Sequence, residues 1–194
     1  MGTQQHHIDS FLSGKSPLIE KVRIMIFGEE KPDKYTQASF YLGLVIWIIF
    51  FIWSFASYLA ISFREMILDQ KGISVEKIII ERGEQLGFEG TEFLDRLMTF
   101  HSISMICWVV VLIGLILLWR KDFRFAWYIF GGTVFYTGMM LFYLNYSYFR
   151  DDTTFFDKIA LLTFVANAAM YLFMLEKEES GGSLSFFGEE DDEE

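Results

Sequence analysis

Four apolar runs, at 40–63, 98–119, 125–146 and 159–175, organise this chain, and none contains Asp, Glu, Lys or Arg. A helix needs about 20 such residues to cross the hydrocarbon core of a bilayer. Backbone N–H and C=O groups in lipid must be satisfied within the segment, so each run is expected to be helical. The pattern predicts an all-α, polytopic membrane protein with four transmembrane helices in one bundle over 39–175. A cytoplasmic segment, 1–38, is expected before it and an acidic, flexible tail, 176–194, after it.

The polar stretches carry structure of their own. Within 16–27, Leu18, Ile19, Val22, Met25 and Ile26 share one helical face, Ser16 and Pro17 suit a helix start, and Gly28 suits a stop. A short amphipathic helix lying in the membrane interface is expected there. The outer loop 64–97 is too long for a simple connector and too short to fold on its own. Residues 73–82 read as a helix with an apolar stripe, interrupted by Gly83, Gly87 and Gly90. Residues 91–97 start a helical turn that runs into span two. Only 120–124 separate spans two and three, so these must be antiparallel neighbours.

Small residues mark the expected helix contacts. Ala56 and Ala60 on span one have small-xxx-small spacing, and Gly131, Gly132 and Gly138 thin one face of span three. These positions are expected to meet another helix rather than lipid. Spans one and two do not resemble three and four, so an inverted-repeat transporter is not supported.

Composition narrows the partners. Aromatic residues make up 19% of the chain and supply ring surface for lipid and helix contacts. The net charge of -10 speaks against nucleic acid, which requires a basic face. Cys107 is the one cysteine, so no disulfide can form within the chain. Residues 1–38 lack the pattern of a cleavable signal, and His6 breaks the myristoylation pattern. Nine Lys and Arg fall on the side of the two termini and the 120–124 loop, against seven on the other. The basic excess sets both termini in the cytoplasm.

Candidate chemistry is sparse. With Asp, Glu, Lys and Arg absent from the spans, His101 is the one candidate there, which leaves no proton pathway and no paired axial ligands for haem. No cofactor is expected. In this topology Glu92, Asp95, His101, Arg150, Asp151, Asp152 and Asp157 lie near the outer surface. Of these, His101, Asp151 and Asp152 are the candidates for holding a metal or moving a proton. Their spacing fits no motif, and two adjacent aspartates ordinarily form a solvated turn. G-x-S-x-G, H-E-x-x-H and P-loop patterns are absent, so no catalytic residue is assigned.

The sequence therefore favours a non-catalytic structural or accessory subunit of a larger bacterial inner-membrane complex. Its expected partners are membrane lipids and other membrane-protein subunits, with homo-oligomerisation as another arrangement. Ile78 and Ile80 in the outer loop, and Phe186 and Phe187 on the tail, are the expected interaction residues. The alternatives are a small self-associating transporter or channel lined by Thr133, Thr137 and Asn145, and a membrane enzyme or lipid- or metal-binding protein using the outer histidine and acids.

Overall fold

A computed structural model describes residues 21, 24, 26–28 and 31–179. Among these residues the chain is all-helical: six helices are defined and there is no strand. They are α1 (Lys34–Ser62), α2 (Arg64–Lys71), α3 (Val75–Gln85), α4 (Glu92–Trp119), α5 (Phe125–Asp151) and α6 (Phe155–Glu179). The four long helices, α1, α4, α5 and α6, are each long and apolar enough to cross a membrane. At 29, 28, 27 and 25 residues, and 1.5 Å per residue, they reach roughly 40 Å. That exceeds the ~30 Å hydrocarbon core, so each is long enough to span it with its ends in the interface. Most of the expected helix 16–27 and the tail bearing Phe186 and Phe187 lie outside the described residues.

Local chemistry sets the helix ends. Asp33 caps α1, its carboxylate accepting from the Tyr35 and Thr36 backbone N–H groups at 2.9 Å. Ser74 caps α3 by accepting from the Lys77 N–H. At the start of α6, Thr154 Oγ1 accepts from the Asp157 N–H at 3.2 Å while Asp157 accepts from the Thr154 N–H at 3.0 Å, a reciprocal capping box. Gly83 does not interrupt α3. A Cβ at this position would stand 2.5 Å from Phe93 Cβ, so glycine is there to let α3 lie directly on the start of α4. Left-handed Gly87, at φ +92°, follows the end of α3 instead.

In the packing of the long helices, α1 touches α4 and α6, and α5 touches α4 and α6. Trp108, 0% exposed, sits where they converge. Its ring stacks on Phe50 of α1 at 5.0 Å and meets Tyr136 of α5 at 5.0 Å and Phe164 of α6 at 6.3 Å. Glycines set the closest approaches. A Cβ on Gly132 would lie 2.5 Å from Val111 Cγ2, and one on Gly114 would lie 2.8 Å from Ile129 Cγ1. At the same crossing the Cys107 thiol donates to the Gly132 carbonyl at 3.1 Å.

Within this chain the other two span-three glycines meet no neighbouring helix. A Cβ on Gly131 or Gly138 would meet no atom within 4 Å. One helical residue is about 100° of rotation, so Gly131 points away from the seam that its neighbour Gly132 fills. Ala56 is likewise exposed and Ala60 half-buried, so this pair is not a tight seam either. Gly43, where a Cβ would stand 2.7 Å from Leu115 Cδ2, marks the close approach of α1 instead.

The end of the fold carrying the α4–α5 turn is tied by a polar network. Lys121 Nζ lies 2.8 Å from Asp33 Oδ2 and 3.3 Å from Glu178 Oε1, joining the turn to the start of α1 and the end of α6. Thr36 Oγ1 donates to Asp33 at 2.7 Å and lies 2.9 Å from the Tyr171 hydroxyl. Burial pushes the Asp33 pKa up, but the hydrogen bonds from Lys121 and Thr36 and the Lys121 charge outweigh it and hold it at about 2. A depressed carboxylate adds stability above its unfolded pKa and loses it as pH falls through the folded one. Wild-type protein should therefore melt higher than Asp33→Asn at neutral pH, and the gap should close as pH falls from just under 4 to about 2. The gap should be modest, because the Asp33 side chain is 40% exposed and water screens the pair. Thermal melts of the two proteins across that window check this, and a gap that persists at pH 2 would show that the carboxylate charge is irrelevant.

Candidate functional site

The feature with the most chemistry lies at the opposite end, where the 64–97 segment and the α5–α6 turn meet the long helices. A cavity of about 140 Å³ opens there. Its apolar wall is aromatic, from Phe50 and Trp53 of α1, Phe100 of α4, and Tyr136 and Tyr148 of α5. Its polar wall is His101, Asp152, Thr153, Thr154 and Asp157.

A break in α5 shapes this wall. Asn145 has φ 72° and ψ 159°, inside a helix that is otherwise regular. That region is almost confined to glycine and costs about 1–3 kcal/mol in other residues. Asn145 offsets part of the strain by accepting from the Tyr146 N–H at 2.6 Å. The break frees carbonyls of the preceding turn, and Arg96 of α4 donates to one of them, that of Tyr143, at 3.2 Å. Arg96 is itself held by Glu92 at 2.7 Å and lies over the Phe88 ring. Beyond the break, the last turn of α5 and the residue after it bring Tyr148 and Asp152 to the cavity.

His101 is 3% exposed, and its Nδ1 is buried with no hydrogen-bond partner among the described residues. Asp152 is spoken for: Arg82 of α3 donates to Asp152 Oδ1 through Nε at 2.8 Å and through its terminal nitrogen as well. Hydrogen bonding by Asp152 raises the Arg82 pKa further. This contact links α3 to the end of α5 across 70 residues of sequence. Asp157 accepts from Thr154 in the capping box.

The expected outer cluster is thus split. His101, Asp152 and Asp157 line one cavity. Asp151 turns away to pair with Arg150 at 2.8 Å, and Glu92 pairs with Arg96. No three His, Cys, Asp or Glu side chains among the described residues come together as a metal site. Of the path residues, Thr137 donates to the Thr133 carbonyl at 2.9 Å, and Asn145 Oδ1 accepts from the Tyr146 N–H at the break in its own helix. Sequence reasoning missed Arg82 and the two tyrosines. Arg82 looked like any loop cation, and no local pattern reports a partner so far along the chain.

A second candidate is a surface. An apolar groove of about 410 Å³ runs between α4 and α5, lined by Ile103, Ile106, Val110, Trp127, Gly131 and Phe135 among others. Trp127, on its rim, is 83% exposed. Of the loop residues expected to interact, Ile78 is exposed and Ile80 half-buried.

No family model, no curated protein and no solved structure matches this chain.

Proposed function

We propose that this protein is a non-catalytic accessory subunit of a larger membrane assembly, its long helices inserted as one transmembrane bundle in a bacterial inner membrane. Both termini and the 120–124 turn face the cytoplasm, and 64–97 faces outward, as the distribution of Lys and Arg favours. The short helix at 16–27 lies on the cytoplasmic interface.

The observation that carries this reading is the outward face of α5. Gly131 and Gly138 leave their side of the helix open, and Gly131 lines the groove beside the exposed ring of Trp127. Glycine lowers helix propensity by about 1 kcal/mol relative to alanine. Within this chain Gly132 is used for close packing, while Gly131 and Gly138 are not. Small residues on a lipid-facing helix allow another helix to approach closely. A transmembrane helix of a partner subunit fits that surface. Ile78 on the outer loop, with Phe186 and Phe187 on the tail, adds contacts outside the membrane.

The test is recovery of the protein from its native membranes in mild detergent, beside Gly138→Leu. A partner protein at fixed stoichiometry, reduced several-fold by the substitution, supports the subunit. A symmetric homo-oligomer would instead favour a self-associating channel.

A further inference from the structure

We propose that the aromatic cavity under the outer loop binds a small organic cation, of the trimethylammonium or alkylammonium class. The inference goes beyond a structural role and does not depend on it.

The cavity has room for more than a single water or a bare ion. One water needs roughly 15 Å³ of such space, and this cavity offers about 140 Å³. A bare metal ion would lack ligands, because no three suitable side chains converge among the described residues. A group of several heavy atoms is the natural fit.

Charge selects the sign. The polar wall holds two carboxylates, Asp152 and Asp157, and the one guanidinium in contact with them, Arg82, is committed to Asp152. One negative charge is left over. An anion would have to shed its water against that charge, whereas a cation gains from it.

The aromatic wall selects the chemistry. Phe50, Trp53, Tyr136 and Tyr148 supply rings, and ring faces attract alkylated ammonium groups, which are weakly hydrated. His101 is the second, independent sign of a ligand. It is almost fully buried, lines the cavity, and has an Nδ1 without a partner among the described residues. A buried polar nitrogen left unsatisfied is costly, and a turn of the ring toward the cavity would let a polar group of the ligand reach it.

The experiment is a calorimetric titration of the full-length protein in maltoside detergent, free of choline lipids, with choline and with its uncharged isostere 3,3-dimethyl-1-butanol. Choline should bind saturably, and the isostere at least about tenfold more weakly. Trp53 lines the cavity yet is 64% exposed, so Trp53→Leu should leave the fold intact. It should weaken choline binding by several-fold to roughly tenfold. Repeating the titration in nanodiscs of choline lipid and of glycerol lipid separates the sources. Blocking by the choline lipid alone would identify a lipid headgroup as the occupant, and equal binding in both would identify a free cation. Equal binding of choline and its isostere, no saturable binding of choline, or unchanged affinity in Trp53→Leu would each overturn the proposal.

Discussion

Gly132→Leu should prevent the protein from packing, while Gly138→Leu, six residues along the same helix, should leave the fold intact. The two substitutions add the same side chain to the same kind of residue. At Gly132 even a Cβ would sit 2.5 Å from Val111 Cγ2, and Val111 is fully buried and cannot yield. The helices would have to part, breaking the contact of the Cys107 thiol with the Gly132 carbonyl. Overpacking of this kind costs about 1–3 kcal/mol, and more where backbone must move. At Gly138 there is open space around the new side chain. Thermal melts of both purified variants, with size-exclusion profiles, check the contrast. A Gly132→Leu protein that melts with the wild type would mean that α4 and α5 do not meet there.

Trp108→Ala should be the most damaging single truncation, at about 3–5 kcal/mol, the range for a large buried ring. Trp108 touches one ring from each of the other three long helices, Phe50, Tyr136 and Phe164. Truncation leaves a void at the one point all four share. A control is Trp127→Ala, which removes an indole from a residue that is 83% exposed. Its melting should stay near that of the wild type, and an equal loss in both variants would contradict the convergence of the helices on Trp108.

These contrasts show where the sequence was legible. Charge-free apolar runs locate the four long helices, because burial in lipid constrains every residue of a span. Which glycine packs is another matter. Gly131, Gly132 and Gly138 look alike in the chain, but their roles depend on helix rotation relative to α4, which composition does not encode. Gly83 misled for the same reason: it reads as a helix breaker, yet it serves a close contact with Phe93. The cavity was half visible. His101 and Asp152 stood out as polar groups at one level, whereas Tyr136 joins them through the rotation of α5, Tyr148 through the break at Asn145, and Arg82 through the fold of the 64–97 segment. A left-handed asparagine within an apolar run leaves no periodic trace.

The open face of α5 is proposed to meet a different protein. The most direct test of that proposal places a photo-crosslinking residue at Trp127 in the native membrane and identifies what is captured, with and without Gly138→Leu. One distinct membrane protein should be captured, in proportion to this chain, and lost in the Gly138→Leu background. Crosslinks to lipid alone, or to a second copy of the same chain, would contradict it.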